Sequence, residues 1–138
     1  MSMAGYSGTP LVKKLGITKS VVVINEPSTY RKLLGPAASE IAFTHQPPTG
    51  SDFVHLFTTR RDELREQLSK LRTTISEAGT IWVSWPKKSS GVPTDVTEDV
   101  IRAVALPLGF VDIKVCAVDE TWSGLKLVIR RQNRNKTK

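Results

Sequence analysis

Two hydrophobic rhythms run along this chain. Val21-Val22-Val23-Ile24 is apolar and β-branched at every position, the pattern of a strand buried on both faces at the centre of a parallel sheet. Before it, Thr9-Pro10 opens a short helix that Gly16 ends. After it, Pro27-Ser28 opens a helical stretch through Leu34, stopped by Gly35-Pro36. Ile41-Ala42-Phe43 predicts a second strand and Phe53–Phe57 a third, separated by a turn-rich loop with Pro47, Pro48 and Gly50. Thr59 and Asp62 have capping-box spacing, with Asp in place of Glu, at the head of a long helix. Leu64, Leu68, Leu71 and Ile75 make its apolar face, Glu66 and Lys70 are spaced for an ion pair, and Gly79 is its expected end. Ile81–Trp85 predicts a fourth strand and Pro86–Pro93 a loop. Asp95 with Glu98 marks another capped start, of a helix running to about Leu108 and closed by Gly109.

The last third changes rhythm. Val111, Ile113, Val115 and Ala117 alternate with Asp112, Lys114 and Cys116, and Leu125, Leu127 and Ile129 alternate with Lys126 and Arg130. Period two predicts strands with one wetter face. Only Asp119 to Gly124 separates them, so they are expected to pair as an antiparallel hairpin, adding an antiparallel edge strand.

Alternating helices and strands call for a mainly parallel sheet covered by helices on both faces. With the closing hairpin, the order over residues 17–131 resembles a reduced class I methyltransferase fold, a Rossmann-like three-layer α/β sandwich. The expected organisation is an N-terminal arm with a short helix (1–16), a single α/β domain (17–131) and a basic flexible tail (132–138).

Composition narrows the class without naming a reaction. Hydrophobic residues at 39% and charged ones at 24% are those of a folded domain, not a disordered chain. The lone Cys116 excludes an intrachain disulfide and fits a reducing compartment. No apolar run approaches the ~18–20 residues of a membrane span. Met1 to Pro10 lacks a signal peptide's apolar core, so a cytoplasmic protein away from membranes is expected. The net charge of +7 is concentrated at one end. Lys126, Arg130, Arg131, Arg134, Lys136 and Lys138 face no acid between 126 and 138, leaving a balance of +1 elsewhere. That tail is either a solvated extension or an arm for phosphates, with Arg130, Arg131, Arg134, Lys136 and Lys138 as nucleic-acid candidates.

Open α/β sheets bind ligands at the carboxyl ends of their strands. A dinucleotide or S-adenosylmethionine site needs a glycine-rich turn after the first strand, where backbone approaches ligand. Here that turn is Asn25-Glu26-Pro27-Ser28-Thr29, without glycine and with a proline that removes a donor. The second strand runs into Thr44-His45-Gln46 rather than an acid for ribose hydroxyls. No cofactor is therefore assigned. The phosphate-loop spacing and the Gly-x-Ser-x-Gly elbow are absent. His45 and His55 with one Cys do not make a metal site. Arg60-Arg61 opposes the dipole of the helix that follows, a faint hint of an anion partner.

Two segments carry unusual chemistry. Trp85, Lys87, Lys88, Ser89 and Ser90 leave the fourth strand at its carboxyl end and could hold a small anion; equally they make a hydrophilic loop beside core tryptophans. Asp119, Glu120 and Trp122 crowd the hairpin turn, either capping and packing it or facing the lysine loop across the strand tips. Cys116 is expected to be buried and inert rather than redox-active.

Met3–Leu11, Lys13–Ile17, Ile81–Lys88 and Val111–Lys126 are similar to the signatures of a family of short bacterial proteins, common in actinobacteria, designated a domain of unknown function and numbered 3052. The resemblance implies a bacterial cytoplasmic protein and carries over no substrate, cofactor or catalytic residue. Three readings follow. The first is a non-catalytic module for a protein or small anion on a methyltransferase-like fold. The second is a nucleic-acid-associated factor acting through its tail. The third is an enzyme using Lys88 and Asp119 in one pocket.

Overall fold

The run from Val21 to Ile24 lies in β1 (Ser20–Ile24), and all four side chains are buried. In the computed structural model, which describes residues 10–131, β1 pairs in parallel with β2 (Ala42–Thr44) and with β3 (Ser51–Phe57). β3 pairs in parallel with β4 (Ile75–Pro86). β5 (Phe110–Ala117) and β6 (Trp122–Ile129) form the antiparallel hairpin. The sheet order is β2-β1-β3-β4-β6-β5. The expected antiparallel edge strand is thus corrected. β6 is the antiparallel strand and inserts beside β4, while β5 lies at the edge and runs in the same sense as the first four.

Alternation along each strand supplies two cores. On one face Val22, Ile24, Val54, Leu56, Ile81, Val83 and Leu125 meet α3 (Arg61–Thr74) and α4 (Glu98–Ala105). Leu64, Leu68 and Leu71 of α3 are fully buried there, each worth roughly 1.5–3 kcal/mol by transfer from water. On the other face Val21, Val23, Phe57 and Trp82 meet α1 (Leu11–Leu15) and α2 (Tyr30–Leu34) with its following 3-10 turn, Gly35–Glu40. Trp82 Nε1 donates to the Leu15 carbonyl at 2.8 Å, which ties α1 to the sheet. Arg102 joins α4 to β5 by bonding Glu98 and, at 2.9 Å, Asp112. Arg102 thereby holds the Asp112 carboxyl below its ordinary range.

Several local expectations are corrected, each for a physical reason. The long helix ends at Thr74, not Gly79, because Ile75 already begins β4 and bulges against β3 between Ser51 and Phe53. Gly79 serves that bulge: a Cβ there would collide with the Ile75 side chain. The Thr59–Asp62 box is not used. The N-cap of α3 is Arg60, and the Arg61 amide is bonded by the distant Asp95 at 2.7 Å. With Asp95 engaged there, α4 takes Thr97 as its N-cap, whose hydroxyl accepts from the Val100 amide. α4 itself stops at Ala105, and Leu106–Leu108 is a 3-10 turn around Pro107. A bulge between Asp112 and Lys114 also changes the reading of β5: Ile113 and Val115, expected on the apolar face, are exposed, while Cys116 is buried as expected of it.

Candidate functional site

The strand order reverses between β1 and β3, since β1 leads to β2 on one side while β3 lies on the other. In open α/β sheets the ligand crevice opens at this reversal, beyond the carboxyl ends of the strands. Here the protein's own side chains span it. Asn25, directly after β1, adopts a left-handed backbone (φ 61°), a conformation that asparagine tolerates. Its amide donates to the Phe57 carbonyl at 2.9 Å and to Glu63 Oε2 at 3.0 Å. Thr58 Oγ1 donates to the other Glu63 oxygen at 2.7 Å. Glu63, in the first turn of α3, therefore latches the ends of β1 and β3 together.

A second tie closes the ends of β1 and β2. Glu26 accepts from Arg31 Nε at 2.9 Å and lies 2.7 Å from His45 Nε2, while the Arg31 guanidinium sits 4.2 Å over the Phe43 ring. Burial pushes the Glu26 carboxyl up, but the bonds from Arg31 and His45 outweigh it and hold the group below its ordinary value. What remains at the reversal is a cleft of about 270 Å³ lined by Asn25, Phe57, Thr58, Thr59, Glu63 and Trp122. Small-molecule sites usually enclose roughly 300–1,000 Å³.

Beneath this crevice runs a buried polar chain. His55 Nδ1 lies 2.8 Å from Tyr30 Oη and His55 Nε2 lies 2.7 Å from Ser84 Oγ, with all three residues fully buried. A neutral imidazole donates from one nitrogen and accepts at the other, so the ring satisfies both neighbours. Burial lowers the His55 pKa to about 3 and raises that of Tyr30. His55 stacks on Phe57, whose ring meets Trp122 edge-on. None of these three residues is exposed, and the bonds from His55 tie α2 to β3 and β3 to β4. Sequence reading missed this polar chain; its only signal was the single polar residue in each of the predicted stretches Phe53–Phe57 and Ile81–Trp85.

The two segments singled out by sequence are neighbours. β4 and β6 pair Trp85 with Ser123 and Pro86 with Trp122, and the Lys87 amide donates to the Thr121 carbonyl at 2.7 Å. Their side chains nevertheless part. Trp85 is buried among α3, α4 and Val83, whereas Trp122 packs on the opposite face of the sheet. Ser90 Oγ bonds the Lys87 carbonyl and receives the Val92 amide, holding its own loop. Lys87, Lys88 and Ser89 line none of the three clefts. Asp119 Oδ1 accepts from the Thr121 and Trp122 amides at 2.8 and 2.7 Å, fastening the hairpin turn. Lys88 and Asp119 share no cleft. Cys116 is buried against Gly124 on β6; burial pushes its thiol up, partly offset by Lys14 and Lys114.

Asp119 and Glu120 instead border a different cleft. It measures about 710 Å³ and lies between α1, α2 and the hairpin turn, with Leu11, Leu33, Leu34 and Val118 among its apolar walls. Lys14 and Lys32 stand on the helical side. Neither lysine was singled out from sequence, because nothing in the sequence brings residues near 14, 32 and 119 together. Arg130 and Arg131 lie at the far end of β6, at the amino edge of the parallel strands, and the Arg130 amide is bonded to Gly109. Arg134, Lys136 and Lys138, with the rest of the expected tail, lie outside the described residues. Among the described residues there is no cluster able to hold a metal ion, and no helix long and apolar enough to cross a membrane.

This sheet and its layers are the Rossmann-like α/β fold of class I methyltransferases. A protein assigned to the type 11 methyltransferases from Sulfolobus solfataricus superposes with a TM-score of 0.60 at 14% identity, covering 91% of this chain and 93% of that one. An S-adenosylmethionine-dependent methyltransferase from Aquifex aeolicus gives 0.59 at 12% identity, covering 86% and 87%. A ribosomal protein L11 methylase from Lactobacillus delbrueckii subsp. bulgaricus gives 0.54 at 11% identity, covering 88% and 76%. No family model and no curated protein matches the chain.

S-adenosylmethionine is the cofactor this fold implies, and the residues at the strand reversal do not fit it. The turn after β1 offers a proline and a bonded asparagine where backbone must approach a ligand. Glu26, which His45 just after β2 bonds, is spent on Arg31 and His45. Glu63 occupies the gap between β1 and β3.

Proposed function

We propose that this chain is a non-catalytic binding module on a methyltransferase-like fold, its cofactor crevice closed from within and its binding surface moved to the cleft bordered by α1, α2 and the β5–β6 turn. The observation that carries the reading is the Asn25–Glu63–Thr58 latch at the strand reversal. The cleft supports its other half, with a volume inside the range of small-molecule sites and a wall set by fixed turn geometry. A thermal-shift screen tests it. S-adenosylmethionine and S-adenosylhomocysteine are expected to leave the melting temperature unchanged, whereas a ligand of the cleft raises it by linkage. Stabilisation by either adenosyl compound contradicts the reading.

A second reading places nucleic acid on the C-terminal tail. The concentration of six cations without an acid between 126 and 138 favours it. Its arm would leave the amino edge of the sheet, away from the cleft. Salt-dependent binding to DNA or RNA that is lost when residues 132–138 are deleted supports this reading, and unchanged binding rejects it.

A further inference from the structure

Four charged groups border the α1–α2 cleft, two of each sign, from three elements. Lys14 comes from α1 and Lys32 from α2, while Asp119 and Glu120 come from the β5–β6 turn. Between them the surface is apolar: Leu11, Leu33, Leu34, Val118 and two prolines, Pro10 and Pro36. A hydrophobic groove bordered by charges of both signs, Lys32 on α2 and Glu120 on the hairpin turn among them, repels a ligand of single charge from part of its border and leaves a neutral ligand's potential unmatched. It matches a molecule that is apolar in the middle and carries both signs.

The walls are pre-formed. The acidic turn is held by Asp119 Oδ1 on two amides, by the Val118 and Asp119 amides on the Trp122 carbonyl, and by the Lys87 amide on Thr121. The helical wall is tied by Trp82 to Leu15 and by Lys14 Nζ to the Ala117 carbonyl at 3.5 Å. Little ordering remains to be done on binding, which favours a small ligand. The bonds on Asp119 engage Oδ1, and Glu120 at the tip of the turn is exposed.

Resting on the binding-module reading above, we infer that the cleft takes a small zwitterion with an apolar body, of about dipeptide size, its carboxylate toward Lys32 of α2 and its ammonium toward Glu120 of the β5–β6 turn. No bond is made or broken; recognition is by burial of the apolar body and by two charge-assisted contacts at opposite ends.

The test is an amide-shift titration of the ¹⁵N-labelled protein with the dipeptide Leu-Phe, its N-acetyl form, its C-terminal amide and the doubly blocked form. Leu-Phe is expected to shift Leu33, Gly35, Val118 and Glu120 saturably, and each single block to weaken binding about tenfold. Lys32→Gln is expected to weaken Leu-Phe binding and leave the C-terminal amide's affinity unchanged. Glu120→Gln is expected to do the same with respect to the N-acetyl form. Both side chains are exposed, and the variants' own spectra report that they fold. Equal affinity for the doubly blocked and free peptides, or no shift with any form up to about 10 mM, overturns the zwitterion. S-adenosylhomocysteine is titrated in parallel. Shifts at Asn25, Thr58 and Glu63 with that compound overturn the closed crevice instead, so the two failures are told apart.

Discussion

His55 is the residue with the clearest thermodynamic consequence. Its ring is buried neutral between Tyr30 and Ser84, and burial lowers its pKa from 6.5 to about 3. The unfolded chain takes up a proton below pH 6.5 that the folded chain refuses until about pH 3. Stability is therefore full above pH 6.5 and is lost as pH falls through this window, at about 1.4 kcal/mol per pH unit. Glu26 and Asp112, whose pKa values are lowered, act in the same direction at more acidic pH. Urea unfolding at pH 7 and pH 5 measures the loss, and His55→Gln is expected to flatten it. A pH-independent wild type between 7 and 5 refutes the buried neutral ring. Ser84→Ala tests the same chain by leaving one ring nitrogen without its partner, at a cost of about 1–3 kcal/mol in the same assay. Sequence could not supply this network, because which strands neighbour one another decides it and His55 and Ser84 are far apart in the chain.

At the scale of elements, periodicity was legible, while N-caps, bulges and the ends of α3 and α4 were not. The apolar face of α3 is where Leu64, Leu68 and Leu71 place it, and β1 is buried on both faces as its unbroken β-branched run implies. The caps failed because capping depends on what the fold brings near. Thr59 offered the right spacing, yet Asp95, from the loop before α4, reaches the start of α3. Asp95→Ala is expected to cost about 1 kcal/mol by freeing the Arg61 amide, read by denaturant unfolding. No change would mean that water caps α3 equally well. Thr97→Ala makes the matching prediction for α4, again about 1 kcal/mol. β5 was misread for a related reason. One residue inserted between Asp112 and Lys114 turns every later side chain to the other face, and period-two reasoning has no means of seeing an insertion.

At the scale of the molecule, the described residues form a methyltransferase-like sheet whose strand reversal is bridged by the side chains of Asn25, Thr58 and Glu63. The fold class was readable from the order of elements and the closing hairpin; the position of β6 between β4 and β5 was not, because adjacency in sequence says nothing of which hairpin strand faces the sheet. The missing glycine turn was visible in Asn25-Glu26-Pro27, but the latch that replaces it needed Glu63 from α3. Of the rim expected from Trp85 to Trp122, the two tryptophans lie on opposite faces of the sheet, and Asp119 and Glu120 line a cleft that Lys14 and Lys32 also border. The most direct test of this account is an amide-shift titration with S-adenosylhomocysteine alone. It predicts no saturable shift at Asn25, Glu26, Thr58 or Glu63; saturable shifts at those amides would show an open cofactor crevice and contradict it.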